Sequence, residues 1–261
     1  MSISEPQFSL RLARDLRDLQ AAQRLRYEVF VEELGGTGPL VDHENRFEAD
    51  EFDPFFDHLL LIDARRDTPE FPGVVGVYRL LTSEKSAEMG RYYSESEYDL
   101  TPLRSSGRRM VELGRSCVHP EYRGGSAMLQ LWNGLAEYVL ERDIEVMFGV
   151  ASLHGTDPQA FRQSLSWLHH HHLAPDDLRV TALPPGRLDM NLLPAEALDR
   201  RTALSEMPPL IKAYLRLGGF VGEGAFIDRD FNTIDICLII DTARMSERHR
   251  SFYTRKQEPA A

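Results

Sequence analysis

The sequence predicts an α/β (α+β) protein in which a central mixed sheet is flanked by helices. A strand, a glycine-bearing loop, a helix and a second strand follow one another over residues 110–151, the order that builds parallel sheet against a helix. Apolar runs at 58–63 and 74–81 predict a hairpin before this unit. Two further runs, 224–228 and 233–240, predict a strand pair after it.

The outer elements follow from spacing and from breaker residues. Apolar residues recur at helical intervals between Leu12 and Glu33, and a Gly-Gly pair at 35–36 ends this amphipathic helix. A proline-containing turn over 68–73 joins the hairpin strands. Near the end, the Pro-Pro pair at 208–209 opens a helix that Gly218 and Gly219 close.

The domain organisation follows from a change in composition. We expect one elaborated domain over 1–245, because 261 residues with 42% hydrophobic content are enough for one substantial core. The polar, proline-rich stretch at about 156–207 is interpreted as an insertion. The charged tail, 246–261, is expected to be flexible.

Bulk composition excludes several classes of protein. A formal charge of -11 argues against nonspecific nucleic-acid binding, which needs a basic surface. No apolar run reaches the roughly 20 residues of a spanning helix, and the start of the chain lacks a signal-peptide pattern, so a cytoplasmic protein is expected. The two cysteines, Cys117 and Cys237, lie in apolar runs typical of reduced, buried thiols.

The segment from Val111 to Gly125 is the most informative part of the chain. A strand that runs into a glycine loop and a helix start gathers backbone N–H groups and the positive helix end around one point, which suits an anion. Its residues resemble the V-x-P-x-(Y/W)-(R/Q)-G pattern of the GNAT superfamily. The matching positions are Val118, Pro120, Tyr122, Arg123 and Gly124.

The GNAT resemblance implies the acyl-CoA N-acyltransferase fold and a donor site. In that family this turn holds the pyrophosphate of coenzyme A or phosphopantetheine. The expected donor-binding residues are Val118, Tyr122, Arg123, Gly124, Gly125 and Ser126. Ser126 and Met128 depart from the usual small residues, which argues against ordinary acetyl-CoA use. The run from Tyr214 to Phe220 resembles the close of the last GNAT helix.

Other segments resemble narrower families. Seven residues occur in the order seen in acyl-homoserine-lactone synthases, and that family takes its acyl groups from acyl carrier protein. They are Arg26, Phe30, Asp50, Asp53, Arg79, Glu112 and Arg115. Segments similar to the bacterial ornithine-lipid N-acyltransferases are Phe30–Glu33, Gly155–Asp157, His169–His172, Pro208–Lys212 and Asp230–Thr233.

This resemblance implies transfer of a 3-hydroxyacyl chain from acyl carrier protein to the α-amine of L-ornithine, which gives a lyso-ornithine lipid. It implies no tightly bound cofactor and no metal, with the acyl-phosphopantetheine of the carrier protein as donor. The same chemistry on glutamine or another amino acid stays open. So do an acyl-homoserine-lactone synthase and, outside enzymes, a hemolysin-like binding module.

Amide formation from a thioester needs a neutral amine and a proton for the leaving thiol. Glu112 is the first candidate base, and the alternative is a buried glutamate paired with Arg115. Strict strand alternation places these two residues on opposite faces, so their pairing needs a bulge, which the GNAT resemblance supplies. Tyr214 is a candidate proton donor or a packing residue, and His154 is a reserve base.

Two charged sets have competing interpretations. Arg26, Phe30, Asp50, Asp53 and Arg79 resemble the acceptor and lid region of the lactone synthases, and the alternative is a solvated salt-bridge surface.

Arg104, Arg108 and Arg109 are candidates for docking the acidic carrier protein, and the alternative is scattered solubilising arginines.

Within the insertion, apolar residues such as Trp167 and Leu168 suit a tunnel wall, peripheral contact with the inner face of the membrane, or ordinary core. The four histidines from His169 to His172 are interpreted as a native helix segment, and the alternative is a metal site.

Overall fold

The computed structural model describes residues 6–38 and 41–244, so the tail expected at 246–261 lies outside the described residues. The chain forms two compact units, one containing residues up to 89 and 113–142, the other 90–112 and the residues from 143 on.

The first unit contains an antiparallel sheet and two long helices. Its elements are β1 (Phe8–Leu12), α1 (Leu16–Arg26), β2 (Val41–Asp42), β3 (Phe47–Glu48), β4 (Asp57–Asp63), β5 (Val74–Thr82) and α2 (Ser83–Met89), and it also holds the second part of β7 (Met110–Val118) and all of α4 (Ala127–Glu141). The strand order is β1-β4-β5-β7. The predicted hairpin is confirmed, since β4 pairs antiparallel with β5.

The opening helix begins at Leu16 and not at Leu12, which ends β1, but its helical run ends at Glu33 as predicted. The Asp15 side chain accepts a hydrogen bond from the N–H of Asp18 and caps α1. The helix continues after Arg26 as a π-helix over Tyr27–Glu33. Such wider turns are rare and occur frequently at functional sites.

The core of the first unit lies between α1 and its sheet. Ala22 and Leu25 on α1 pack with Leu60 on β4 and Val77 on β5, and Cys117 joins this cluster as a buried free thiol. Burial of these side chains fixes which face of α1 turns inward, because apolar burial is the dominant stabilising term in folding.

The second unit contains a mixed sheet and the stretch at about 156–207 that the sequence predicts to be an insertion. Its elements are β6 (Tyr98–Asp99), α3 (Thr101–Ser105), the first three residues of β7, β8 (Val146–His154), α5 (Arg162–His172), β9 (Thr181–Ala182), β10 (Arg187–Leu188), α6 (Arg200–Glu206), α7 (Pro209–Arg216), β11 (Phe220–Val221), β12 (Ala225–Asp228) and β13 (Thr233–Asp241). The strand order is β7-β8-β13-β12-β10, with β11 also paired to β13.

The pairing in this unit confirms the mixed sheet. β7 and β8 are parallel, with Met110 opposite Val146 and Glu112 opposite Phe148. β8 and β13 are antiparallel over nine pairs, from Val146 opposite Asp241 to His154 opposite Thr233.

The insertion contains α5 and α6, and the four consecutive histidines end α5 as predicted. Within the described residues, no helix is both long and apolar enough to span a bilayer.

Candidate active site

The predicted anion turn connects β7 to α4 in the first unit. A 3-10 helix over Pro120–Tyr122 follows the strand, and Gly124 has a φ of 79°, the left-handed region that favours glycine. α4 begins after Ser126, whose side chain makes no capping hydrogen bond to the first N–H groups of the helix. These N–H groups and the positive end of a 15-residue helix are therefore available to an anion.

Two side chains of this turn form hydrogen bonds that stabilise its conformation. The Arg123 guanidinium donates to both carboxylate oxygens of Glu33, at 2.6 and 2.7 Å, and its Nε donates to the Val118 carbonyl at 2.9 Å. The Tyr122 hydroxyl donates to Asp63 at 2.7 Å. Because these two side chains bind Glu33 and Asp63, the groups of the turn that remain for an anion are its backbone N–H groups. Direct contact of Arg123 or Tyr122 with the acyl donor stays a prediction.

A buried charged network lies between α1, β3 and the segment after it, again in the first unit. Arg26 is fully buried and donates to Glu48 and to Asp53, with 2.6 Å from Nη1 to Asp53 Oδ1. Arg79, also buried, donates from Nη1 to Asp53 at 2.8 Å and to Asp50 at 2.7 Å. These side chains are not solvated, so the alternative of a salt-bridge surface is wrong.

Arg115 joins this network at its more accessible edge. Its Nε donates to Glu48 at 3.0 Å and its Nη2 lies 3.8 Å from Asp50. The backbone of Arg115 has a φ of 47°, which non-glycine residues adopt rarely, so the strand pleat is interrupted there. The half-buried ring of Phe30 lies 6.0 Å from the Arg115 guanidinium carbon.

The network holds its acids in the charged form. Burial opposes ionisation of Glu48, but the guanidinium groups of Arg26, Arg115 and Arg79 outweigh it and lower its pKa from 4.5 to about 2. Burial also opposes ionisation of Asp53, and the positive charge of Arg26 and Arg79 holds its pKa well below the usual range. Three guanidinium groups face three carboxylates, which makes a compact and electrically balanced set.

Glu112, the first candidate base, lies in the second unit and is buried. Its Oε2 accepts from the N–H of Tyr93 at 2.8 Å, and its Oε1 accepts from the N–H of Ser94 at 2.7 Å and from the Ser94 hydroxyl. The carboxylate therefore fixes the 3-10 turn Tyr93–Ser96. At least three of the roughly four lone-pair sites of the carboxylate are therefore used by this turn.

The other two candidates for proton transfer differ in exposure. His154 is the last residue of β8 and is exposed, opposite Thr233. Tyr214 is buried on α7, where its carbonyl accepts from the N–H of Gly219.

The three arginines predicted to dock a carrier protein each have an acidic partner. Arg104 donates to both oxygens of Glu95, and Arg108 donates to both oxygens of Asp241. Arg109 lies 3.1 Å from Asp143. Their positive charge is balanced locally, so their role in docking stays a prediction.

The comparisons with known proteins decide the family. Residues 25–133 match a family model described as an acetyltransferase (GNAT) domain. Over 258 residues the chain is 64% identical to the L-ornithine N(alpha)-acyltransferase of Rhodobacter capsulatus, and the match covers 99% of both chains. The chain belongs to the L-ornithine N(alpha)-acyltransferase family. A second member, from Brucella abortus, is 44% identical over 94% of this chain and 88% of its own length.

The fold comparison agrees with this family. The acyltransferase superposes on the AHL synthase LasI with a TM-score of 0.52 and 14% identity, covering 98% of this chain and 100% of that one. At this identity the likeness shows the fold alone. The predictions of a GNAT fold and of an acyltransferase are therefore confirmed.

Sequence reasoning missed three members of the acyltransferase's buried network. Glu48 bridges Arg26 and Arg115, and Gln23 donates to Asp53 at 2.8 Å. The His58 Nε2 lies 3.0 Å from the Asp53 carbonyl oxygen. Gln23 precedes Arg26 by about one helical turn, which places both on one face of α1 and was a usable signal.

The histidine run has ordinary packing contacts in the described structure. The rings of Trp167 and His171 lie 4.1 Å apart, and His170 Nε2 lies 3.0 Å from the Leu193 carbonyl oxygen. Among described residues, the group whose oxygens are close enough to hold a cation is Glu97, Asp228 and Asp235.

Proposed function

We propose that this acyltransferase moves a 3-hydroxyacyl chain from acyl carrier protein to the α-amine of L-ornithine and forms a lyso-ornithine lipid. The observation that carries this proposal is the 64% identity over 99% of the chain to a relative named for that acceptor and that nitrogen. The amide C–N bond forms as the thioester C–S bond breaks. The amine loses a proton and the thiol of the carrier arm gains one.

For the donor, we assign the phosphate of the phosphopantetheine arm to the turn before α4. The supporting features are the left-handed Gly124 and the uncapped first turn of a long helix, whose N–H groups favour an anion. Arg123 and Tyr122 keep that turn in shape through Glu33 and Asp63.

For the carrier protein itself, we assign the surface around Arg104, Arg108 and Arg109. Arg109 supports this assignment best, because its side chain is 58% exposed and its partner Asp143 is 83% exposed, so an acidic helix can exchange with that partner. The apolar side chains of the insertion are proposed to border the acyl chain or the inner face of the membrane.

The proton from the amine is proposed to leave through His154 or Glu112. His154 is supported as the base by its exposed side chain. Glu112 is supported by its position on β7, a central strand of the sheet.

The test is amide formation by the purified full chain with 3-hydroxyacyl carrier protein and an equimolar mixture of free amino acids, read by mass spectrometry. The expected product is N-acylornithine. Acylglutamine as the main product would show that glutamine, and not ornithine, is the acceptor. A lactone formed from S-adenosylmethionine would show that the protein is a lactone synthase.

The donor site has a matched pair of variants. Gly124→Ala and Gly90→Ala both place a side chain at a positive φ, 79° and 91°, with no atom within 4 Å of the new Cβ, so each costs about 1–2 kcal/mol of backbone strain. Only Gly124→Ala is expected to raise the Michaelis constant for the acyl donor. Equal Michaelis constants for the acyl donor in the two variants would show that the turn does not bind the donor.

A further inference from the structure

Three carboxylates of the second unit converge at one point of its sheet. Glu97, Asp228 and Asp235 each offer an oxygen, and these oxygens all lie within 4.8 Å of one another. Glu97 and Asp235 are 4% and 3% exposed, and Asp228 is half-buried. Like charges this close repel, so a bound cation lowers the free energy of the set.

A buried hydroxyl without a partner points to the same place. Thr233 is 5% exposed, and its Oγ1 is buried without a hydrogen bond to any described residue. Thr233 pairs with Asp228 across the β12–β13 ladder and lies two residues before Asp235, so all three side chains project from one sheet face. A buried hydroxyl without a partner is unfavourable, and a ligand bound among these carboxylates would supply the missing bond.

The surrounding structure holds the carboxylates in place. The Tyr98 hydroxyl donates to the carbonyls of Asp235 and Gly224, at 2.9 and 3.1 Å. The Glu97 carbonyl accepts from the N–H of Leu183 at 2.7 Å. Glu97 itself follows the 3-10 turn that Glu112 fixes. The backbone that carries Glu97 and Asp235 is therefore fixed, and both of these side chains are buried.

The carboxylates of this site contribute, after burial, to raised pKa values of Tyr98 and Cys237. Burial, and then the nearby Cys237, Glu97 and Asp235, raise the pKa of Tyr98. Burial, followed by Glu112 and Glu97, also raises the pKa of the Cys237 thiol.

We propose that Glu97, Asp228 and Asp235 surround the side-chain ammonium of the acceptor amino acid with negative charge, and that the Thr233 hydroxyl and two of these carboxylates accept its three N–H bonds. This inference rests on the proposed function and explains how the enzyme separates ornithine from neutral amino acids. An ammonium group has three N–H donors. Acceptors about 2.8 Å from its nitrogen at tetrahedral angles lie about 4.6 Å apart, which is within the 4.8 Å limit on the separations of the three carboxylate oxygens.

The strand register then indicates where the α-amine lies. His154 is directly opposite Thr233, whereas Glu112 pairs with Phe148, six residues back along β8. Asp235 is opposite Ser152, four residues from Phe148, so the site lies about 13 to 20 Å along the strand from the position of Glu112, two to three times the roughly 6 Å between the two amines of extended ornithine. A side chain held at the carboxylates therefore brings the α-amine toward His154, which becomes the preferred base, and leaves Glu112 as a positioning residue.

The test compares ornithine with 2-aminopentanoate, which has the same carbon skeleton without the side-chain amine. Kinetics with an acyl carrier protein donor are measured for the full chain and for Thr233→Val, Asp235→Asn and the control Glu223→Gln. Glu223 is an exposed acid of the same unit, paired with Arg187. Thr233→Val removes a hydroxyl that has no partner, so its folding stability is expected to stay equal or to rise.

Wild type and Glu223→Gln are expected to prefer ornithine strongly. Thr233→Val and Asp235→Asn are expected to lower kcat/KM for ornithine by about tenfold or more, the loss of a hydrogen bond to a charged group, without lowering the value for 2-aminopentanoate. A second readout is the rise in melting temperature on adding ornithine without donor, which both variants should reduce.

An unchanged ratio between the two acceptors in the folded variants overturns this inference. So does a wild-type preference that disappears with a chelator and returns with Mg²⁺ or Ca²⁺, because the site would then hold a metal ion. Absence of any amide with either acceptor would instead overturn the proposed function, so the two failures are distinguishable.

Discussion

His58 gives the first unit a pH-dependent stability that can be worked out from the structure. The side chain is buried, its Nε2 faces the Asp53 carbonyl oxygen, and its Nδ1 is buried without a hydrogen bond. Burial, and then the positive charge of Arg26, lower its pKa from 6.5 to about 4. A second proton would sit on the isolated Nδ1, close to that guanidinium.

The sign and size of the effect follow from proton linkage. Below pH 6.5 the unfolded chain binds a proton at His58, while the folded chain stays neutral until about pH 4. Folding stability is therefore lost as the pH falls from 6.5 to 4. The shift corresponds to about 3 kcal/mol in total, of which about 2 kcal/mol falls between pH 7 and pH 5. Against a typical stability of about 5–15 kcal/mol this is a large fraction.

The assay is urea unfolding of the wild type and His58→Gln at pH 7 and pH 5. Glutamine keeps an amide N–H near the Asp53 carbonyl and does not titrate. Burial also lowers the pKa of His119 and His172, so both proteins retain some pH dependence and their difference isolates His58. The wild type should lose about 2 kcal/mol more than the variant. Equal losses would refute a neutral, buried His58.

Two other substitutions test the charged clusters. Asp53→Asn removes the negative charge between two buried guanidinium groups and should lower the free energy of unfolding by about 3–5 kcal/mol, whereas Asp50→Asn, whose side chain is 18% exposed, should cost much less. Comparable melting temperatures for the two variants would contradict this reading of the network. Glu112→Gln turns one acceptor oxygen into a donor facing a backbone N–H, so a loss of about 1–3 kcal/mol should accompany any fall in turnover. A Glu112→Gln variant that is as stable as the wild type but inactive would indicate that Glu112 is the base.

Local patterns in the sequence determined most of the backbone. The strand over Met110–Val118 and the helix over Ala127–Glu141 lie within the strand–loop–helix–strand unit predicted over 110–151, because alternation and breaker residues are encoded within each segment. The motif at 118–124 also identified the GNAT fold before any contact was known.

Side-chain pairing was decided by the tertiary structure. Glu48 meets Arg115 across 67 positions, and Tyr98 meets Asp235 across 137, separations over which a single sequence carries no spacing signal. The same limit hid the approach of Glu97 to Asp228 and Asp235, three acids that appear unrelated along the chain. Whether a charged residue is solvated or buried depends on what covers it, and that is fixed only when distant segments pack together.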